Sequence, residues 1–580
     1  MRIACRWVIG VLCLVVVAGS VVSAQSVADS YTPVTDEMLV DPAPGDWPMW
    51  RRTYGHWGHS PLDQINTSNV GTLRLAWAWT MGEGLQETTP LVHDGMMFLV
   101  QACDFVEALD VRDGSRIWQY RRERVDHAAR LSCANRNGAL YQDKLFIATH
   151  DAHLVALDAR TGDVAWDVEV GDWTIGQHYS GGPMVIKGRV VAGMSGCYHL
   201  NTRCWVSAHD VDTGEEAWRT YTIPGRGEFG YDSWGDVPDE DRRGGSAWNS
   251  PSYDPELNLI YTGVGVPIPW GSVQRGTGDG DVLYTNSTLA LNADTGDIVW
   301  YFQHIPNDEW DLDHPYARLV VETEVSPDAA VRWKNSSITP GGRRKIVTGI
   351  PGKTGIVWAL DAATGAFLWA EPTNYQNVVV DIDAESRRVI LNSALKFPEV
   401  GKPVFVCPSA LGGINWQATA YHPGTNALYA PTNNVCMDLT LNQFRDRPGA
   451  HHGSARIAQA PAPDIDGEIG QFTAMDLTTG QPLWVYRQRA GMGGSVLTTG
   501  GGLVFVTDDA RRFRAFDARS GDILWEQILN SSAGGFPVSY MHDGVQYLAI
   551  AAGGGINFRG LTPEIQQPGR GNTLFVFKLP

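Results

Sequence analysis

Four acidic side chains lie close together in a short stretch of the chain, residues 307–315, which we call the acidic segment. They are Asp308, Glu309, Asp311 and Asp313. A carboxylate held beside an apolar ring such as that of Trp310 can act as a general base. Two carboxylates two residues apart on an extended segment point the same way and can share a cation. These residues alone fit a solvated acidic turn equally well, so the surrounding elements decide between the interpretations.

One pattern, Ala-x-(Asp/Asn)-x-x-x-Gly-x-x-x-Trp, occurs seven times with the same internal spacing. The copies end at Trp118, Trp166, Trp218, Trp300, Trp369, Trp484 and Trp525. Glycine permits the positive φ of a tight turn, and Asp or Asn caps the turn. Each copy therefore predicts a strand, a turn and a second strand, with the Trp packed against a neighbouring sheet.

A sheet built around one copy cannot bury both of its faces alone, whereas sheets arranged radially cover one another. This arrangement predicts a β-propeller. An eighth strand of the same type lies at 73–79, and the C-terminal strands 546–550 and 573–577 lack a terminal Trp strand. The predicted fold is therefore all-β: an eight-bladed propeller closed by pairing of its N- and C-terminal strands.

The N-terminus has the features of a secretory signal peptide. Arg2 and Arg6 precede an apolar run at 8–22, and small residues stand just before Gln25. The alternative is a membrane anchor, but the run is short for a span and its small-residue end favours cleavage. We predict a signal peptide at 1–24, a single propeller at 25–580, a periplasmic protein, and no stable membrane span after cleavage.

Charge and cysteine content restrict the partners and the compartment. The formal net charge of −19 argues against binding to nucleic acid or to an anionic membrane surface. It permits a basic protein partner such as a cationic cytochrome, although solubility explains it equally well. No Cys-x-x-Cys-His motif is present, so no attached c-type haem is predicted.

An even number of cysteines in an exported chain predicts disulfides. The six beyond the signal are Cys103, Cys133, Cys197, Cys204, Cys407 and Cys436. They allow about fifteen full pairings. Among these we favour Cys197–Cys204, Cys407–Cys436 and Cys103–Cys133.

Several motifs resemble the dehydrogenases that use pyrroloquinoline quinone (PQQ), the quinoprotein alcohol and methanol dehydrogenases. The repeat resembles their tryptophan-docking motif, and the match runs from about Trp47 to the end of the chain. Other similar stretches are 59–70, 245–248, 253–261, 308–311, 433–438 and 501–505. The resemblance implies oxidation of an alcohol by hydride transfer to the quinone. Electrons would then pass to an external acceptor such as a soluble cytochrome c.

The resemblance also implies a set of PQQ-binding residues in the central funnel. Trp248 would form a flat floor for the quinone. Arg136 matches a carboxylate-binding arginine, and Glu87 matches the acid that orients it. Positions that match hydrogen-bonding residues around the cofactor are Ser180, Ser195, Ser246 and Asn415.

Two further positions match residues at the reacting atoms. Asp311 matches the catalytic base, which takes the proton of the alcohol hydroxyl. Lys353, in Pro-Gly-Lys-Thr-Gly at 351–355, matches the basic residue beside the reactive quinone oxygens. A cation there stabilises the negative charge that develops during hydride transfer.

The metal position departs from the family. Its metal is usually held by a Glu, an Asn and the catalytic Asp, but Tyr198 and Val266 occupy the first two positions. Asp313 resembles a second acid of the lanthanide-using branch. Three options follow: calcium or a lanthanide bound by Asp311, Asp313 and PQQ; PQQ in a rearranged or metal-free site polarised by Lys353; or loss of PQQ binding.

Two alternative functions keep the propeller. One is a PQQ-independent enzyme similar to tetrathionate hydrolases, which the departures at the metal position motivate. The other is a non-catalytic binding propeller. The identity of the alcohol is not readable, because long loops at the funnel rim set specificity.

Overall fold

The computed structural model describes residues 27–123, 125, 133–446, 455–556, 558–566, 568–569 and 571–580. The predicted signal peptide lies outside these residues. Within them, no helix combines the length and apolar character needed to cross a membrane. The α-helices described are short, Asp36–Val40 and Ser272–Arg275. The 3₁₀ turns are Val70–Thr72, Ala102–Asp104, Trp173–Ile175, Tyr231–Trp234, Asp239–Asp241 and Ser393–Leu395.

The described residues form eight sheets with at least four strands each, in which consecutive strands pair antiparallel. Sheet A contains Leu91–His93, Met96–Gln101, Phe105–Asp110 and Arg116–Arg121. Sheet B contains Ala139–Tyr141, Lys144–Ala148, His153–Asp158 and Val164–Glu169. Sheet C contains Met184–Ile186, Arg189–Gly193, Trp205–Asp210 and Glu216–Tyr221. Sheet D contains Ser252–Asp254, Leu259–Gly263, Ser287–Asn292 and Ile298–Gln303.

The second half of the chain repeats this plan, with short strands added at two edges. Sheet E contains Leu319–Val325, Gly342–Gly349, Ile356–Asp361, Phe367–Pro372 and the edge strand Trp333–Lys334. Sheet F contains Ala420–His422, Ala427–Asn433, Gly470–Asp476 and Pro482–Gln488. Sheet G contains Leu497–Thr499, Leu503–Thr507, Arg512–Asp517 and Ile523–Ile528, with His59–Ser60 parallel to its first strand.

Sheet H joins the two ends of the chain. It contains Val538–His542, Val545–Ala552, Thr573–Lys578 and Arg74–Thr80. The strand Arg74–Thr80 lies antiparallel to Thr573–Lys578, with Leu75 opposite Phe577. Three strands from the last part of the chain and the first long strand of the chain thus share one hydrogen-bonded sheet. The all-β prediction is confirmed.

The repeats join neighbouring sheets through their tryptophans. Each indole packs on the turn glycine of the following copy, in the pairs Trp77–Gly114, Trp118–Gly162, Trp166–Gly214, Trp218–Gly296, Trp300–Gly365, Trp369–Gly480 and Trp484–Gly521. At Gly296 φ is +77°, and an added Cβ would lie 2.5 Å from the Trp218 ring. The Trp218 indole N–H donates to the carbonyl of Ala293 at 3.2 Å. Trp525, which no copy follows, meets Phe577 of sheet H edge-on at 5.4 Å, so the predicted packing of each repeat Trp on a neighbouring sheet is confirmed.

Long insertions between repeats carry small sheets of their own. They are Arg243–Gly244 with Pro267–Ile268, Val379–Asp383 with Arg388–Leu391, and Pro403–Val406 with Val435–Leu441 and Ala455–Pro461. All three disulfide pairings favoured from the sequence are confirmed: Cys103–Cys133, Cys197–Cys204 and Cys407–Cys436. The last of these ties the insertion between sheets E and F to the strand Val435–Leu441.

Candidate active site

Two of the four acids hold the acidic segment in place. Asp308 accepts hydrogen bonds from the amides of Trp310 and Leu312 at 2.6 and 2.9 Å. Glu309 accepts from the amide of Phe397 at 2.9 Å. Trp310 is buried and donates its indole N–H to a backbone carbonyl. These side chains are therefore occupied in shaping the loop.

The other two acids face a lysine. Oδ2 of Asp311 lies 2.8 Å from Nζ of Lys353, and Oδ2 of Asp313 lies 3.6 Å from the same nitrogen. Asp311 is 6% exposed and Lys353 is 5% exposed. The interpretation of the whole segment as a solvated turn is therefore wrong.

The charge states of this pair depend on burial as well as on contact. Burial raises the pKa of Asp311 to about 8, with Lys353 lowering it and Asp313 raising it further. Burial lowers the pKa of Lys353, but the carboxylates of Asp311 and Asp313 outweigh that effect and raise it overall. Asp311 is consequently a stronger base than an ordinary carboxylate, and Lys353 remains an ammonium.

Lys353 reaches the acids because its loop packs directly on the acidic segment. Its amide donates to the carbonyl of Asp313 at 2.8 Å, and its own carbonyl accepts from the amide of Gly413 at 2.7 Å. A Cβ on Gly352 would overlap the ring of His314 and the carbonyl of Asp313. Glycine at 352 therefore allows the two loops to approach.

A second cluster forms around Arg136. Its Nη2 lies 2.6 Å from Oε2 of Glu87, and its Nη1 donates to the carbonyl of Ser180 at 2.9 Å. The guanidinium carbon lies 4.8 Å from the ring centroid of Trp248 and 5.8 Å from that of Trp416. Burial raises the pKa of Glu87, and Arg136 partly offsets the rise. Glu87, Arg136 and Trp248 thus lie together in one buried cluster.

Tyr316 connects the two clusters, and sequence reasoning missed it. Its ring meets the Trp248 ring edge-on at 5.2 Å, and the residue is 1% exposed. Burial raises the pKa of its hydroxyl, the charges of Asp313 and Asp311 raise it further, and Arg136 opposes them. Among the described residues the hydroxyl has no hydrogen-bond partner. The only signal in the sequence was its position five residues after Asp311.

Two of the predicted serines, Ser195 and Ser246, lie at or beside the segment that carries Trp248. The amide of Ala247 donates to the carbonyl of Met194 at 3.0 Å, which brings Ser195 beside the segment that carries Ser246. The hydroxyl of Ser195 is buried and has no partner in the described part of the chain. The hydroxyl of Tyr198, at the position where the family has Glu, hydrogen-bonds with Ser246.

Asn415 follows the loop that receives Lys353. Its Nδ2 donates to the carbonyl of Leu411 at 3.2 Å, so part of its amide is committed to its own loop. The amide of Gly413 binds the carbonyl of Lys353, and the neighbouring Trp416 contacts Arg136. The amide of Tyr316 also donates to the carbonyl of Pro351, next to the Lys353 loop, at 3.0 Å. Contacts therefore run in a closed circuit from Arg136 through Trp248, Tyr316 and the Lys353 loop back to Trp416.

The donor set in this circuit fits a planar polyanion such as PQQ. Nε of Arg136 and the hydroxyls of Ser195 and Tyr316 are buried donors without partners among the described residues. A partly exposed indole, that of Trp248, lies between them. Carboxylates satisfy such donors, and a flat ring system gains by stacking on an indole.

Comparison with known proteins places these observations in a family. The β-propeller domain described as PQQ glucose/ethanol/alcohol dehydrogenase matches residues 47–370 and 464–548, which is more than half of the chain. Quinohemoprotein alcohol dehydrogenase ADH IIB of Pseudomonas putida is 32% identical over 557 residues, which cover 93% of this chain and 78% of that protein. Quinoprotein alcohol dehydrogenase PedH of Pseudomonas putida is 33% identical over 555 residues, which cover 90% and 89%.

Solved structures agree with this result. Quinohemoprotein alcohol dehydrogenase ADHIIG from Pseudomonas putida HK5 superposes with a TM-score of 0.85 at 32% identity, covering 95% of this chain and 82% of that one. A europium-containing methanol dehydrogenase superposes with a TM-score of 0.82 at 28% identity, covering 94% and 100%. The propeller fold and the oxidoreductase class are confirmed, whereas the tetrathionate-hydrolase-like and binding-propeller alternatives gain no support. The family implies PQQ together with a metal, and this chain belongs to it: it is a member of the PQQ-dependent alcohol dehydrogenases.

Proposed function

We propose that this protein is a periplasmic dehydrogenase that oxidises a small alcohol and passes the electrons to an external acceptor such as a soluble cytochrome c. The observation that carries the proposal is the buried contact between the Asp311 carboxylate and the Lys353 ammonium, 2.8 Å apart. We further propose that sheets A to H are the eight blades of one ring at 25–580, with sheet H as its closure.

The reaction assigned to this site divides between the cofactor and two side chains. Bound PQQ supplies the two-electron acceptor for alcohol oxidation. Asp311 takes the hydroxyl proton, and its raised pKa suits that task because a base works best when its pKa lies near the working pH. Lys353 holds Asp311 in position and offers positive charge where negative charge develops.

The remaining predicted residues would bind and orient the cofactor. Trp248 would provide the stacking floor, and Arg136, held by Glu87, would bind a carboxylate. Hydrogen bonds would come from Ser180, Ser195, Ser246 and Asn415. Ligation of calcium or a lanthanide by Asp311 and Asp313 is one of the three options that the sequence left open.

The disulfides support the proposed periplasmic location, and the net charge supports the proposed electron acceptor. Three disulfides are typical of a chain that matures in an oxidising compartment. A net charge of −19 favours encounter with a basic acceptor. The relatives described above are quinoprotein and quinohemoprotein alcohol dehydrogenases, which supports an alcohol as the substrate.

The test is reconstitution of the purified protein with PQQ, followed by absorbance of the bound quinone and dye reduction with a panel of alcohols. We expect Asp311→Asn to bind PQQ but to lose about 10²- to 10⁴-fold in kcat, the usual contribution of a general base. The exposed Asp63→Asn provides the matched control and should retain wild-type turnover. Failure of the wild-type protein to bind PQQ under any metal condition, or full turnover by Asp311→Asn, would contradict the proposal.

A further inference from the structure

The two carboxylates predicted to share a metal ion already share an ammonium. Nζ of Lys353 lies 2.8 Å from Asp311 and 3.6 Å from Asp313. The side chains of Lys353, Asp311 and Asp313 are 6%, 9% and 14% exposed, so solvent screens their charges little. A buried cation therefore bridges this pair without any ion.

The oxygens that remain are too few for a hard metal ion. Oδ1 of Asp313 accepts a hydrogen bond from the amide of Val266 at 2.9 Å. The side chain of Val266 has no donor atom, and the Tyr198 hydroxyl is engaged with Ser246. Calcium takes about six to eight oxygen ligands. Within the described ranges, no group of three or more His, Cys, Asp and Glu side chains is arranged to hold a metal.

The ammonium of Lys353 already lies at the oxygens that a metal ion would need. A metal ion bound to Asp311 would lie close to the ammonium, and like charges repel strongly in a buried site. The main chain of Lys353 is fixed on one side by the carbonyl of Asp313 and on the other by the amide of Gly413. The residues present therefore do not fit the metal that the family implies.

We propose that the Lys353 ammonium takes the place of the metal ion in this protein, so that neither PQQ binding nor alcohol oxidation requires calcium or a lanthanide. This inference rests on the proposed function and selects one of the three options left open by the sequence. It assigns to Lys353 the positioning of Asp311 as well as the local positive charge.

The experiment loads the full chain with PQQ in buffer treated with EDTA and repeats the loading with added Ca²⁺ or La³⁺. Bound metal is measured by mass spectrometry, PQQ uptake by absorbance, and turnover by dye reduction. We expect no stoichiometric metal and less than about a twofold change in uptake or turnover, whereas loss of ligation costs a metal-dependent site about 10- to 100-fold.

The outcomes separate this inference from the proposed function. Uptake of PQQ only after metal addition, or stoichiometric metal that survives EDTA, overturns the inference and leaves the proposed function standing. No uptake under any condition overturns both. As a second measurement, Lys353→Met should need at least about tenfold more PQQ than the wild-type protein for half-maximal uptake in EDTA, while Lys353→Arg should need about the same amount. Equal requirements of the two variants would also overturn the inference.

Discussion

Removal of the Lys353 charge should shift the pH dependence of the reaction. In the wild-type protein burial raises the pKa of Asp311 to about 8, even though the ammonium 2.8 Å away opposes that rise. A general base is active only when it is deprotonated, so kcat/KM should rise with pH through about 8 and then level off. In Lys353→Met the opposing charge is gone, and the rise should move to higher pH.

The size of the shift follows from the distance. Coulomb's law at an effective dielectric of about 20 gives roughly 6 kcal/mol for unit charges at this separation. At about 1.36 kcal/mol per pKa unit, this energy corresponds to a rise of about 4 units in the pKa of Asp311. Water that enters the space vacated by the lysine reduces that rise. We therefore expect the pKa of Asp311 to rise by at least about 2 units. At a pH below both pKa values, a rise of about 2 units lowers the ionised fraction of Asp311, and with it kcat/KM, by about 100-fold.

The assay is the pH profile of kcat/KM for PQQ-loaded protein, which reports the free enzyme. Lys353→Arg, which keeps the charge, should leave the rise near its wild-type position. The exposed Lys402→Met, 61% accessible at its side chain, controls for the loss of a lysine in general. An unshifted profile for Lys353→Met, or a shift to lower pH, would refute the assignment of Lys353 as the group that controls Asp311.

Two further predictions concern Tyr316 and the repeat glycines. Tyr316→Phe removes a buried hydroxyl that has no partner among the described residues, but it keeps the ring contact with Trp248. PQQ affinity, measured by titration, should therefore fall by about 3- to 10-fold. The free energy of unfolding, measured by urea denaturation, should change little. Unaltered affinity would mean that the hydroxyl does not face the cofactor. Gly296→Ala should lower the free energy of unfolding by about 2 kcal/mol or more, because it combines a positive φ with overlap on the Trp218 ring. Gly544→Ala is the control, because Gly544 has φ +75° and nothing lies within 4 Å of the added Cβ. It isolates the backbone cost and should lower the free energy of unfolding by only about 1 kcal/mol. Equal losses in the two variants would exclude a packing role for Gly296.

Much of the scaffold could be predicted because it depends on short-range spacing. A glycine four residues before a Trp specifies a turn and a packing surface within one repeat, and each repeat meets the next in the same way. Arg136, Glu87 and Trp248 were proposed through family motifs, and the structure shows that they contact one another, while their roles towards the cofactor stay predictions. The sequence favoured one set of disulfide pairings among those possible, and the structure contains that set.

The sequence by itself determined that this chain is an all-β repeat protein of the quinoprotein type, with carboxylates in one segment and a lysine in another. Only the tertiary structure decided how those acids divide: Asp308 turns back to bind its own loop, whereas Asp311, at φ +62°, meets a lysine 42 residues away. It also decided that the amide of Val266 would occupy one oxygen of Asp313. Side-chain direction and long-range contact depend on how separate loops pack over a shared centre, and no local pattern of residue types encodes that packing.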